Sequence, residues 1–367
     1  MMRNFSNVKR LVVKIGTNTL TRDGMVDTDY ILHVAGQIAK LKQSGVQVMI
    51  VSSGAIGLGA NALGHDGAVS DLKMRQACAS VGQPLLMQEY RKAFAEHGIE
   101  TAQVLLTSSV LSHRKTYLNL RNAVETLLNV GAVAVFNEND CISLDEIGTA
   151  FGDNDTLSAL IASKVDADLL VMLTDIDSLY DKDPRKYGDA KPLKAVHKIT
   201  RQIVKMAGSS GSEHATGGMK TKIEAAKIAA NAGCRIVLAN GRVDDVVMKI
   251  MAGEDIGTVF MPKQKLSNRL RWILNSSPSG TIHIDEGAVG ALANHKSLLP
   301  SGIVSIEGDF TAGSVVMLND VAKAVTNFSS VELTSLAGKH SSEIREILGS
   351  DRRDVVAIPE DIVFLDI

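Results

Sequence analysis

Two lysines, a run of carboxylates and two glycine-rich turns carry the chemistry legible in this chain. Lys14 lies near the end of a short apolar run, RLVVKI (10–15), two residues ahead of Gly16. An ammonium at the end of a buried strand is costly unless it reaches solvent or an anion. Lys222 falls in the first turn of the helix that follows the glycine-rich HATGGMKTK (214–222). The helix dipole disfavours a cation there unless an anion sits alongside. Between them, FGDNDTLSALIA (151–162) sets Asp153, Asn154 and Asp155 at the mouth of an alanine-rich helix. One such residue would cap the helix; three in a row, two of them anionic, exceed that need. Ser53-Gly54, Asn137-Glu138-Asn139-Asp140 and Thr174-Asp175 each follow a further apolar run. Together these groups suit phosphoryl transfer, which asks a protein for positioning and charge neutralisation more than for covalent work. No Ser/His/Asp arrangement and no histidine cluster with ligand spacing competes.

The elements that must position these residues alternate. Apolar runs at 10–15, 46–51, 101–106, 132–136, 169–173 and 235–239 predict buried strands. Helical spacing between them predicts helices after 27, over 72–97 with an interruption at Pro84, over 114–128 with Leu118 on the apolar side, and over 220–230. The pattern predicts an α/β fold, a mostly parallel sheet sandwiched by helices, whose carboxyl edge gathers the polar turns into one crevice. The rhythm changes after the lone tryptophan, where NSSPSG (275–280) has linker composition. Short strands at 281–284, 302–306, 314–318, 355–358 and 362–365, with small helices near 287–293 and 341–348, predict a small β-rich second domain. The division expected is 1–262 for the first domain, 263–279 for a linker and 280–367 for the second.

Composition excludes several classes. Formal net charge is −2, so no global basic field gathers nucleic acid. From Ser276 onward acidic residues outnumber basic ones by about two to one, which opposes RNA binding by the tail. Cys78, Cys141 and Cys234 are widely spaced, unlike a disulfide framework or zinc site. No apolar run reaches membrane-spanning length, and a cytoplasmic protein without a membrane partner is expected. GLGANA (57–62) matches a permissive dinucleotide fingerprint, but it does not open the loop directly after the strand and no acid-ended second strand follows.

LVVKIGTNTL, VSSGAIGLG, NENDCIS, GDNDTLSAL, LLTDIDSLYDKDPR and TGGMKTK, in this order and spacing, resemble the amino acid kinase family. Within it they are similar to the branch that acts on glutamate. The tail DEGAVGAL…SLLPSGIVSIEGDFTAGSVV resembles the PUA domain of many bacterial members. The resemblance implies ATP-dependent phosphorylation of the γ-carboxylate of L-glutamate with Mg²⁺, the metal bridged by phosphates and not held directly by protein. It implies Lys14, Asp155 and Lys222 as catalytic residues, Asp155 organising both lysines. Ser53, Gly54, Asn137, Asp140, Asp153 and Asn154 would take glutamate, Asp140 its α-ammonium and Asp153 either the substrate amine or a water on the metal. Lys14, Thr174, Asp175, Thr216, Gly217, Gly218, Met219, Lys220, Thr221 and Lys222 would take the nucleotide. It also implies inhibition by proline, a homo-oligomer (dimer or tetramer), and delivery of an unstable product to glutamyl phosphate reductase. Two anions must then approach each other, which opposes reaction by roughly 4 kcal/mol at about 4 Å and an effective dielectric near 20. Ser52, Lys220 and Cys141 depart from common family residues without removing a group this chemistry needs.

Overall fold

The computed structural model describes residues 3–22, 25–65, 67–107, 110, 114–142, 154–208, 218–339, 343 and 354–365. The chain divides into two compact units, Met1–Lys265 and Leu266–Ile367.

In the first unit eight strands form one sheet: β1 Arg10–Ile15, β2 Gln47–Ser52, β3 Thr101–Leu106, β4 Val133–Glu138, β5 Leu169–Thr174, β6 Ala195–Val196, β7 Arg235–Asn240 and β8 Thr258–Phe260. Their order is β6-β8-β7-β5-β1-β2-β4-β3. All neighbours run parallel except β7 and β8, which pair antiparallel. β1 is central, with Lys14 in register with Val51 of β2 and Met172 of β5.

Period-two alternation decides which face each side chain serves. On one face Val12, Met49, Val51, Leu170, Met172 and Leu238 pack against helices α4 Arg114–Asn129, α5 Asn154–Lys164 and α6 Met219–Asn231. On the other, Leu11, Val13, Ile15, Ile50, Val171 and Val237 pack against α1 Thr28–Gln43, α3 Leu72–Ala95 and α7 Val246–Met251. Lys14 shares the parity of Val12 and so belongs to the α5–α6 face. Asp27 caps α1 by accepting from the Tyr30 N–H, and Gly45 at φ 88° ends the turn beyond it.

Two local expectations change. The helix over α3 runs unbroken through Pro84, giving up one backbone hydrogen bond while its buried face stays packed. Leu118 is exposed and Tyr117 takes the buried position of that turn.

Helix α2, Ala55–Ala62, contains the GLGANA segment and crosses α3 at two glycines. A Cβ on Gly59 would lie 1.8 Å from the Cys78 carbonyl oxygen, and one on Gly82 would lie 1.8 Å from that of Ala55. These glycines therefore serve helix-on-helix contact, which disposes of the dinucleotide reading of this segment.

The second unit holds a five-stranded sheet, ordered β10-β9-β11-β12-β13, from β9 Thr281–Ile284, β10 Ile303–Glu307, β11 Val315–Leu318, β12 Ala322–Val325 and β13 Ile362–Phe364. β12 and the helix Ser330–Leu336, which has a Ser329/Glu332 capping box, were not expected. Near 355–358 there is no strand, only a bridge between Leu298 and Ala357. The helix expected at 341–348 lies outside the described residues, Glu343 apart.

Within the 263–279 span read as linker, α8 Asn268–Asn275 is a helix capped by Ser267. It buries Trp272 and Ile273 against Val315, Val325 and Val363 of the second sheet. Lys323 donates to the Leu274 and Ser276 carbonyls at its end, at 2.9 and 2.7 Å.

Candidate active site

Helices α5 and α6 lie side by side because their facing residues are small. Ala159, Ala162, Ala225, Ala226 and Ala229 are all fully buried in one cluster. That close approach brings two helix first turns together beside the end of β1. Asp155 lies in the first turn of α5 and Lys222 in the first turn of α6.

Asp155 is wholly buried, and its two oxygens are divided between two lysines. The Lys14 ammonium lies 2.6 Å from Oδ1 and the Lys222 ammonium donates to Oδ2 at 3.0 Å. Thr221 Oγ1 also donates to Oδ2, at 3.0 Å. Both lysines are almost fully buried, at 4% and 5% exposure. Burial opposes ionisation of Asp155, but the two ammoniums override it and hold the carboxyl well below the usual carboxylate range. Two ammoniums thus share one buried carboxylate, with the Asp175 carboxylate also within reach of the Lys222 charge.

A second cluster sits where β2 and β4 end. Asn154, the first residue of α5, donates from Nδ2 to the Ser52 carbonyl at 2.7 Å, to Ser53 Oγ at 3.0 Å and to Asn137 Oδ1 at 2.9 Å. Asn137 Oδ1 also accepts from the Glu138 N–H at 2.9 Å. Asn137 Nδ2 donates to Gln83 Oε1 at 2.8 Å. Gly54 takes the left-handed conformation, φ 95°, as the chain turns from β2 into α2. Asp140 is half-buried. Burial pushes its carboxyl above the ordinary range, and the Arg75 guanidinium on α3 partly counters this.

At the end of β5, Thr174 Oγ1 donates to Asp175 Oδ1 at 2.9 Å and Asn18 Nδ2 donates to Oδ2 at 2.9 Å. Burial works against ionisation of Asp175. Its bonds from Asn18 and Thr174, with the nearby Lys222 charge, still lower it. Gly218 precedes α6, Met219 packs into the core beneath it, and Lys220 is exposed. Asp153, Thr216 and Gly217 lie outside the described residues.

Sequence reasoning passed over Asn18, Arg75 and Gln83. For Gln83 a signal existed in its helical spacing with Ala79, Gly82 and Leu86, the apolar side of a helix, and the structure buries it at 5% exposure. For Asn18 and Arg75 the contacts span the fold, and no local pattern announces them.

This site and fold define a class. Residues 9–240 match the amino acid kinase family and residues 280–348 match the PUA domain. The chain belongs to the amino acid kinase family and is a phosphotransferase, with a PUA domain in its C-terminal part. It is 45% identical over 99% of its length to a Methanosarcina mazei protein named glutamate 5-kinase, covering 97% of that relative. It is likewise 45% identical to the glutamate 5-kinase of Caldanaerobacter subterraneus subsp. tengcongensis, over 97% of this chain and 98% of that one. The fold is also that of the carbamate kinase of Giardia lamblia bound to AMP-PNP, at TM-score 0.50 and 15% identity, covering 70% of this chain and 100% of that one.

Proposed function

We propose that this chain transfers the γ-phosphoryl group of ATP to the γ-carboxylate of L-glutamate, giving L-glutamyl 5-phosphate, the first step of proline synthesis. The observation that carries the reading is the pair of buried ammoniums on the two oxygens of Asp155. A carboxylate acceptor makes the neutralisation problem acute, and this arrangement answers it. The names borne by relatives of near-equal length support the choice of glutamate.

The γ-phosphoryl lies between Lys14 and Lys222. One oxygen of the glutamate γ-carboxylate attacks phosphorus in line as the bond to the β-phosphate oxygen breaks, and ADP leaves with that electron pair. The acceptor is already ionised, so no general base is needed. Ser53, Asn154 and Asp140 hold the amino-acid end, Asp140 by meeting the α-ammonium. Thr174, Asp175 and the turn before Lys222 hold the nucleotide, with Asn18 fixing Asp175. Both oxygens of Asp155 are taken by Lys14 and Lys222 and so are not offered to a metal, which fits Mg²⁺ carried by the nucleotide's phosphates. When bound, the cation offsets charge on the β- and γ-phosphate oxygens.

The same reading includes proline as a feedback inhibitor, a cytoplasmic homo-oligomer, and a reductase that consumes the labile acyl phosphate. An acceptor panel of L-glutamate, N-acetylglutamate, aspartate, carbamate and UMP, read as ADP release, tests it. Glutamate should dominate; preference for any other acceptor overturns the assignment.

A further inference from the structure

The side chains behind the acceptor cleft form a chain of amides whose polarity is pinned from both ends. The Glu138 backbone N–H can only donate, so the Asn137 atom it meets at 2.9 Å is Oδ1. The Ser52 carbonyl can only accept, so the Asn154 atom it meets at 2.7 Å is Nδ2. Asn137 Oδ1 then takes the Asn154 N–H, and Asn137 Nδ2 is left facing Gln83 at 2.8 Å. Gln83 must therefore offer its oxygen, and its own Nε2 turns to Gln103 Oε1 at 3.4 Å.

This polarity reaches the cleft. Asn154 Nδ2 has two hydrogens for three acceptors, Ser52, Ser53 and Asn137, so one hydrogen is shared between two of them and Oδ1 is the atom left for accepting. Ser53 Oγ accepts from Asn154, which directs the hydroxyl hydrogen elsewhere. The polarity thus leaves Asn154 an oxygen suited to an ammonium and Ser53 a hydroxyl hydrogen suited to a carboxylate. That is a complementary pair for an α-amino acid.

We propose that Gln83 is a positioning residue for the acceptor amino acid: its side-chain oxygen, held on α3, fixes the orientation of Asn137 and through it the groups that Asn154 and Ser53 present. The α2–α3 crossing at Gly59 and Gly82 sets where Gln83 sits, since Gly82 is its chain neighbour. The inference rests on the glutamate reading for the name of the acceptor, but not for the orientation of the amides.

The test compares Gln83→Met, which removes the oxygen at similar volume, with Gln83→Glu, which keeps an acceptor oxygen toward Asn137. Gln83→Met should raise the glutamate KM by about ten-fold or more, because a buried Asn137 donor loses its partner and the amide is free to turn. The ATP KM should stay within about two-fold, and Gln83→Glu should recover most of the loss. Added to Asn137→Ala, Gln83→Met should cost less than about two-fold more, since both act on one path. If Gln83→Met does not fold, Gln83→Asn, which withdraws the oxygen by one methylene, takes its place with the same expected split. An unchanged glutamate KM, an equal rise in both KM values, or independent effects in the double variant would each overturn the proposal. Should the wild-type enzyme favour another acceptor, the glutamate assignment fails and the same split is read on that acceptor.

Discussion

The Lys222 ammonium lies 3.0 Å from Asp155 Oδ2 and joins the first turns of two neighbouring helices. With Lys14 of β1 on the other oxygen, two ammoniums meet at one carboxylate, where the proposed reaction places the transferring group. Lys222→Ala should lower kcat by about 10² or more, because the lost group acts on charge developing in transit. Steady-state kinetics at saturating ATP and glutamate measure it. Near-normal turnover would refute the assigned role.

Asp155 also ties stability to pH. Its folded-state carboxyl is depressed below the value of about 3.9 expected of an unfolded chain. Its contribution is therefore complete above about pH 4 and is lost as pH falls through the folded-state titration. Asp155→Asn leaves two buried ammoniums without their anion and should cost about 3–5 kcal/mol at neutral pH. Urea unfolding at a series of pH values checks both statements. The variant should lose part of the acid-side slope, and an unchanged midpoint at neutral pH would count against the triad.

Asp140 has the opposite sign. Burial raises its carboxyl, with Arg75 opposing, so it is still partly protonated where an ordinary carboxylate has ionised. If it receives the α-ammonium, the glutamate KM should rise on acidification through that range while the ATP KM stays level. Asp140→Asn should raise the glutamate KM by about ten-fold or more and flatten this dependence. Equal changes in both KM values would place Asp140 elsewhere.

Gly82 tests the scaffold. A methyl there would collide with the Ala55 carbonyl at the α2–α3 crossing. Gly82→Ala should destabilise the first unit by about 1–3 kcal/mol through overpacking. It should also weaken glutamate binding by moving Gln83. An unaltered urea midpoint would mean the helices separate more easily than their contact suggests.

Much of this was legible in the chain because strand and helix periodicity act locally. The runs around Lys14, Ser53, Asn137, Thr174 and Arg235 alternate or stay apolar as buried parallel strands require, and each strand lies within a residue or two of where the pattern puts it. Lys14 and Lys222 were conspicuous because a cation in either setting is costly without an anion. What escaped depended on the fold. Pro84 suggests a break, but a helix packed on its buried face tolerates one missing hydrogen bond. The linker composition at 275–280 concealed the preceding α8, whose Trp272 finds its partners on strands far along the chain. GLGANA mimicked a cofactor fingerprint because glycines needed for helix contact look the same in one dimension as glycines needed for phosphate contact. Asn18 acts on Asp175, remote in sequence, so only the folded chain brings out its role, and Gln83, though conspicuous on the apolar side of its helix, gains its partner Asn137 only in the fold.

The central claim is that a carboxylate of glutamate accepts the phosphoryl group at the Lys14–Asp155–Lys222 site. Incubating the enzyme with ATP, Mg²⁺, L-glutamate and hydroxylamine traps an acyl phosphate as its hydroxamate, which can be measured beside ADP. The account predicts glutamate-dependent γ-glutamyl hydroxamate in step with ADP, and neither product from Lys222→Ala at the wild-type rate. ADP release without hydroxamate, or no response to glutamate, would contradict it.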